Sequence, residues 1–194
     1  MILDLIKMTY IIEPTQFKMS TWAVVEINHK IERNPKLRDM PKADTCPTSC
    51  CLAGWAAHFQ MKKEYIKQDM ANWPDYCKKL LPPSFVEKKN EDFVDNLTEL
   101  VFGGFWNSSL SEARFRLLLT LVPEVRDDIA DLDENAALGF TREMLVYVHE
   151  CRKAYPQLKE LSKAENYDEE CIVATLAGMG VDISRIRLSL TAST

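Results

Sequence analysis

The stretch from Ser109 to Glu134 reads SLSEARFRLLLTLVPEVRDDIADLDE, and its pattern decides the fold class of the chain. Ser109 with Glu112 three residues later is a capping box, which is typical of the first turn of a helix. Apolar side chains then recur at helical spacing before the next proline, at Phe115, Leu118, Leu119 and Val122. The pattern predicts a helix that packs into a core.

A second helix is predicted directly after the first. Pro123 suits its first turn, because the fixed φ of proline is already helical. One face of this helix carries Val125, Ile129 and Leu132. The other face carries four carboxylates, at Asp127, Asp128, Asp131 and Glu134. We expect an exposed acidic stripe, and these four residues are the predicted partner-binding surface.

The first half of the chain is also predicted to be mainly helical. A first helix is expected over Met19 to Arg33, followed by a surface loop over Asn34 to Pro47 that is rich in proline and charge. The small apolar residues of Cys50 to Phe59 predict a buried central helix. An amphipathic helix over Met61 to Leu81 must end at the Pro-Pro pair that follows it.

Capping residues predict further helix starts in the second half, at Ser84, Thr141 and Asp168. The helix after Ser84 carries a leucine and phenylalanine stripe that ends before Gly103. The last helix should stop at the Gly-Met-Gly sequence that begins at Gly178. The pattern of the tail from Val181 to Leu190 fits a short strand.

The whole chain is consistent with one mainly α domain, an irregular helical bundle over residues 1–194. Its 194 residues, of which 46% are hydrophobic, are enough to form a core without disulfides or metals. No internal repeat of the period typical of helical solenoids is visible. A cysteine-containing half, 1–82, and a second helical half, 83–194, meet at the Pro-Pro pair.

Composition also limits the compartment and the partners. The sequence shows no signal peptide and no run of about 18 apolar residues, so we expect a cytoplasmic protein whose six cysteines are reduced thiols. A net charge of −5 opposes direct nucleic-acid binding, which relies on Lys and Arg. Protein partners or small molecules are favoured.

The densest group of chemically versatile side chains is Cys46, Cys50, Cys51 and His58. Thiolate and imidazole are the ligands that tetrahedral zinc prefers, and His29 could supply another. The spacing differs from a pair of CxxC motifs, so buried thiols with a packed histidine are the alternative explanation. Zinc therefore stays open as a cofactor at this point, and no cofactor is the simpler expectation.

The same cysteines allow a second chemical interpretation. A thiol at a helix N-terminus has its pKa lowered by the helix dipole, so Cys50 or Cys51 could act as a nucleophile with a distant base such as His149. No partner that would orient the base can be named. The chain also lacks a phosphate-binding loop, a GxSxG elbow and an HExxH motif, so it carries no recognisable catalytic motif.

The stretch from His29 to Ala57 reads HKIERNPKLRDMPKADTCPTSCCLAGWAA. It resembles a group of small uncharacterised proteins encoded by bacteriophages and some bacteria, which share an upstream His and Pro and a C-x4-C-[IL]-A-G-[WH]-A core. Cys46 and Cys51 match the two cysteines, and Leu52 to Ala56 match the core, whereas Cys50 replaces a residue that is usually small. The resemblance implies a phage origin and no particular activity.

Three functions are therefore expected in decreasing order. The first is a non-catalytic phage accessory protein that binds and inhibits or redirects a host protein, such as a defence or nucleic-acid-processing complex. The second is a cysteine-dependent or zinc-dependent enzyme centred on Cys46, Cys50, Cys51 and His58. The third is a virion structural or scaffold component, although the sequence shows no coiled-coil seam.

Overall fold

The computed structural model of the chain describes residues 2–19, 23–27, 30–40, 49–86, 91–103, 109–130, 132 and 137–184, and it confirms a mainly helical fold. No helix within those ranges combines the length and apolarity that crossing a membrane requires. The helices are α1 (Ile2–Met8), α2 (Leu52–His58), α3 (Lys63–Ile66), α4 (Trp73–Leu80), α5 (Pro83–Val86), α6 (Glu91–Phe102), α7 (Leu110–Leu119), α8 (Pro123–Ala130), α9 (Ala137–Ala154), α10 (Pro156–Ser162) and α11 (Glu169–Gly178).

A small antiparallel sheet replaces the helix predicted over Met19 to Arg33, and that prediction is wrong. Strands β1 (Ala23–Ile27) and β2 (Lys30–Arg33) pair in the register that places Val24 opposite Arg33. The apolar residues of this segment are mostly valine and isoleucine, whose branched Cβ favours strands over helices. The spacing of these apolar residues fits a helix as well as a strand, so the β-branched residue types favour the strand.

The third strand, β3 (Ser49–Cys50), pairs with the other edge of β1 and places Ala23 opposite Cys50. The main chain of Cys50 also accepts a hydrogen bond of 2.9 Å from the N–H of Lys18. Helix α2 begins two residues later, at Leu52. The sheet therefore fixes the point at which the cysteine-containing segment enters the core.

The sheet region is tied to the helices by Trp73, the first residue of α4. Its indole ring is buried, and Nε1 donates a hydrogen bond of 3.0 Å to the carbonyl oxygen of Pro35, which follows β2. An exposed ion pair of 3.0 Å between Arg38 and Asp69 joins the same two regions. The exposed ion pair contributes little, so the buried indole is the main connection.

The predicted single helix over Met61 to Leu81 is interrupted, and the structure has α3 and α4 in its place. The side chain of Asn72 caps α4, because its Oδ1 accepts a hydrogen bond of 2.9 Å from the N–H of Asp75. Pro74 follows in the first turn, where its missing N–H costs nothing. This local N-cap starts a new helix after α3 has already ended at Ile66.

Two predicted helix starts are wrong. Ser84 lies inside α5, which begins at Pro83, and the longer helix α6 begins only at Glu91. Thr141 lies inside α9, because the helix already begins at Ala137 and the alanine and leucine there are strong helix formers. At α5 the helix starts one residue early because Pro83 suits the first helical position, and at α9 it starts early because good helix formers precede Thr141.

Three other predicted boundaries are confirmed. The side chain of Ser109 caps α7 with a hydrogen bond of 3.4 Å from the N–H of Glu112. Pro123 is the first residue of α8. Asp168 caps α11 through the N–H of Cys171, at 2.9 Å. These signals need only three or four neighbouring residues, so tertiary context did not override them.

The predicted strand over Val181 to Leu190 is wrong for the part that is described. Gly180 adopts a φ of 81°, and the N–H of Val181 returns to the carbonyl of Leu176 at 3.0 Å, as in a Schellman helix end. Asp182 Oδ1 then accepts hydrogen bonds from the N–H and hydroxyl of Ser184, which starts a helical turn. Residues 185–190 lie outside the described ranges.

Helix α7 is the centre of the fold. The sequence predicted one buried face, whereas Leu117, Leu118 and Leu119 are all buried, so the helix is covered on every side in its second half. It packs against α1, α6 and α10. The same hydrophobic core includes α2, as shown by the fully buried Leu52, so both predicted halves contribute to one core.

Arg114 on α7 joins the ends of two other helices. Its Nε donates to Oγ1 of Thr9 and its Nη2 to the Thr9 carbonyl oxygen, both at 2.9 Å, just after the last residue of α1. Its Nη1 donates to the carbonyl oxygens of Ala164 and Ser162, at 3.2 and 3.5 Å, at the end of α10. The guanidinium also stacks 3.7 Å from the ring centroid of Tyr10. One side chain thus satisfies carbonyls that helices leave unpaired.

Two further arginines bind helix ends in the same way. Nε of the fully buried Arg116 donates a hydrogen bond of 2.9 Å to the carbonyl of Leu100, in the last turn of α6. Burial lowers the pKa of Arg116 to about 9, so this side chain is cationic at neutral pH. Nη1 of Arg126, on α8, donates at 2.8 Å to the carbonyl of Thr120, at the end of α7. Cations at helix C-termini are favourable because the helix dipole is negative there.

The arrangement around Arg114 predicts that an Arg114→Lys variant is less stable than the wild type. The ammonium group retains the charge but cannot reach both helix ends, so we expect a loss of about 1–3 kcal/mol in the free energy of unfolding. Urea unfolding followed by circular dichroism measures it. The matched control is Arg142→Lys on the exposed side of α9, which should stay within about 0.5 kcal/mol. Equal midpoints for the two variants would contradict the assigned role.

Candidate functional site

The cysteine segment lies inside the core. Cys50 and Cys51 are buried, and Cys51 is the N-cap of α2, where its Sγ accepts a hydrogen bond of 3.5 Å from the N–H of Gly54. Burial raises the pKa of the Cys51 thiol to about 11, although hydrogen bonds from Gly54 and Ala53 oppose the shift. The sequence predicted a lowered pKa from the helix dipole, and this prediction is wrong because desolvation outweighs the dipole.

His58 is buried at the other end of α2. Its ring makes edge contacts with the rings of Trp55 and Phe59, at centroid distances of 5.4 and 5.3 Å. Within the described ranges no group of three or more His, Cys, Asp or Glu is placed to hold a metal ion. Cys46 and His29 lie outside those ranges. A zinc site that includes Cys46 therefore stays a prediction.

The catalytic alternative required a base that reaches the thiol. His149, the base considered from sequence, is exposed on α9, whereas Cys50 and Cys51 have 0% and 1% of their surface exposed. A nucleophile must meet its substrate, and thiols without exposed surface cannot do so in this conformation. The structure therefore gives no support to a nucleophile at Cys50 or Cys51.

Cys77 is a further buried thiol that sequence reasoning did not select. It lies on α4, which packs against α2, and its pKa is raised well above the usual value by burial and then by the nearby Cys51. The helical spacing of the apolar residues in this segment already places Cys77 on the buried side of α4, beside Tyr76 and Leu80. Cys51 and Cys77 thus belong to the packing between α2 and α4.

The acidic stripe predicted on α8 has the expected orientation where it is described. Val125 and Ile129 are fully buried, and Asp127 and Asp128 are exposed. Glu124, one turn earlier, is exposed as well. The other two predicted positions, Asp131 and Glu134, lie outside the described residues.

Helix α9 packs beside α8, and Tyr147 marks the contact. Its hydroxyl donates a hydrogen bond of 3.0 Å to Oδ2 of Asp128 and lies 3.4 Å from the carbonyl oxygen of Val125. Burial raises the pKa of Tyr147, and the neighbouring Cys151 and Asp128 raise it further, so the hydroxyl stays protonated. The side of α9 that carries Tyr147 therefore faces the acidic edge of α8.

Two glutamates extend the acidic surface onto α9. Glu143 and Glu150 are exposed and lie four residues before and three residues after Tyr147, so they share its side of the helix. Glu150 forms an ion pair of 3.0 Å with Lys153. We call the surface formed by Glu124, Asp127, Asp128, Glu143 and Glu150 the acidic face. Sequence reasoning missed its α9 part because nothing local shows which helix α9 contacts.

An exposed apolar pair lies next to the acidic face. Leu145 and Val146 on α9 have 45% and 55% of their surface exposed. Val146 lies three residues after Glu143 and four before Glu150, so the valine borders the carboxylates directly. Neither residue belongs to the buried stripe that includes Met144 and Val148. The helical spacing of the sequence already places both residues outside that stripe.

Comparison of the chain with models of protein families, with curated protein sequences and with solved structures gave no match.

The burial of the cysteines predicts the order in which they are alkylated. In the native protein we expect iodoacetamide to modify the exposed Cys171 first. Cys50, Cys51 and Cys77 should react only after unfolding, because they are buried and a pKa of about 11 leaves about one Cys51 in a thousand as thiolate at pH 8. Peptide mapping by mass spectrometry after native and denaturing labelling measures this order. Rapid native labelling of Cys51 would restore the nucleophile hypothesis.

Proposed function

We propose that this chain is a non-catalytic phage accessory protein that binds a host protein through the acidic face. The observation that carries the proposal is the grouping of five exposed carboxylates on two adjacent helices, α8 and α9. These carboxylates share one exposed surface, and their negative potential favours a partner of opposite charge. A protein with a basic surface is such a partner.

The exposed apolar pair gives the same surface a second means of binding. Protein interfaces commonly combine an apolar centre with a polar rim, and Val146 lies directly beside Glu143 and Glu150. Burying Leu145 and Val146 adds affinity, whereas the carboxylates speed association and select a basic partner.

The chemistry of the surface restricts the class of host partner. Proteins that act on nucleic acids present grooves lined by Lys and Arg, and an acidic protein surface can occupy such a groove in place of phosphates. The resemblance of the segment from Cys46 to Ala56 to phage-encoded proteins supports a host target. We therefore propose a nucleic-acid-processing or defence protein of the host as the partner.

Reversing charge on the acidic face should weaken capture of this partner. We expect a Glu124→Lys, Asp127→Lys double variant to bind at least about tenfold more weakly than the wild type, because charges at an interface govern association strongly. The tagged chain captures proteins from a bacterial lysate, and the candidate is then purified and its Kd is measured by calorimetry. Affinity of the wild type should fall as NaCl rises from about 0.05 to about 0.5 M.

The matched control is Glu165→Lys with Glu170→Lys, which makes the same change in net charge at exposed positions at and just before α11. This control should retain the partner at near wild-type affinity. Circular dichroism confirms that all variants are folded. If both double variants lose the partner equally, or neither does, the acidic face is not the binding surface.

A further inference from the structure

A cleft on a different part of the molecule lies between α3, the end of α4, the start of α5 and α6. Its volume is about 320 Å³, at the lower end of the range found for small-molecule sites. Its lining combines lysine ammonium groups with apolar walls. The acidic face, by contrast, lies on α8 and α9, so the two sites use separate elements.

Lysines dominate the charge of the cleft. Lys62, Lys78 and Lys79 line it, whereas Glu64 is the acidic residue of its lining. Lys78 forms an ion pair with Asp95 on α6. Among the described residues, counting Glu64 and Asp95 against the three lysines leaves one positive charge in excess. This local excess is opposite in sign to the net charge of −5 on the chain.

The backbone fixes the position of Lys62. Its φ of 51° and ψ of 46° place it in the left-handed region, which non-glycine residues adopt at an energetic cost. Gln60 is also left-handed, and it ends α2 in a Schellman motif in which Met61 N–H bonds the carbonyl of Ala56 at 2.9 Å. The hydroxyl of Tyr76 donates to the Met61 carbonyl at 2.8 Å. The turn that presents Lys62 is thus held on both sides.

The walls of the cleft are apolar and aromatic. Leu81, Pro83 and Val94 contribute aliphatic surface, and Tyr65 contributes a ring. That ring lies nearly parallel to the ring of Tyr76, with a centroid distance of 6.3 Å and an interplanar angle of 15°. Tyr76 is fully buried, so the aromatic wall has firm support.

We propose that this cleft binds a small organic anion with one negative charge, a carboxylate joined to an aromatic or branched apolar group. The carboxylate contacts the ammonium groups of Lys62 and Lys79, which form no ion pair with any residue of the described ranges. The apolar group lies against Val94, Pro83 and the Tyr65 ring. A single excess positive charge matches a monoanion better than a phosphate dianion.

The test uses 2-naphthoate as the probe and the full chain labelled with ¹⁵N. Titration should give saturable binding in the millimolar range or tighter, with amide shifts concentrated at Lys62, Tyr65 and Lys79. The uncharged analogue 2-naphthalenemethanol should bind about tenfold more weakly, because it lacks the charge that the ammonium groups attract. Inorganic phosphate should bind more weakly than 2-naphthoate, because it does not use the apolar walls.

Two variants measure how much each lysine contributes to binding of the probe. Lys62→Asn removes the charge with a residue that tolerates the left-handed conformation, and Lys79→Gln removes an exposed charge on α4. Each should weaken 2-naphthoate binding by about threefold to tenfold. Lys67→Gln, at an exposed lysine outside the cleft, is the control and should leave binding unchanged.

Three outcomes would overturn the proposal. Equal binding of 2-naphthoate and its alcohol would mean that the lysines do not recognise charge. Tighter binding of inorganic phosphate would identify a phosphate site instead. Amide shifts outside the cleft, or equal affinity in all three lysine variants, would place the probe elsewhere or show no site at all.

Discussion

The guanidinium of Arg114 is the interaction on which the arrangement of helices depends. It lies on α7, the central helix, and binds the ends of α1 and α10 through Thr9, Ser162 and Ala164. Each helix end presents carbonyl oxygens that α-helical hydrogen bonding cannot satisfy, and burying them without donors would be costly. A planar group with several N–H donors satisfies both ends at once, which a lysine cannot do. The N-terminal helix is thereby fixed to the C-terminal half.

A similar contact between an arginine and a helix end lies beside the acidic face. Arg126 binds the carbonyl of Thr120, so α8 leaves α7 in a defined direction and buries Val125 and Ile129. The carboxylates on the opposite side are left in water, where α9 adds its own glutamates through the contact made by Tyr147. The acidic face thus lies on the sides of α8 and α9 that do not pack into the core.

Local signals in the sequence were sufficient for part of this structure. Helix starts at Ser109 and Asp168 could be predicted because a cap involves only the next few residues. The segment from Met19 to Arg33 could not, because the spacing of its apolar residues fits a helix and a strand equally well. The pKa of Cys51 was predicted in the wrong direction because burial depends on neighbours distant in sequence. The contacts of Arg114, the α9 part of the acidic face and the lysine-lined cleft also join residues distant in sequence. They could not be predicted for that reason.

The long separation between Arg114 and its partner Thr9 also bears on how the protein is made. These residues are 105 positions apart, and a ribosome that adds about 5–20 residues per second needs roughly 5–20 s to synthesise the chain between them. During that interval the nascent α1 can contact α2 but lacks the contacts from Arg114 and the rest of α7 that complete the burial of Leu5 and Ile6. Part of the apolar face of α1 therefore stays uncovered until α7 emerges, and a ribosome-associated chaperone can cover it in the meantime.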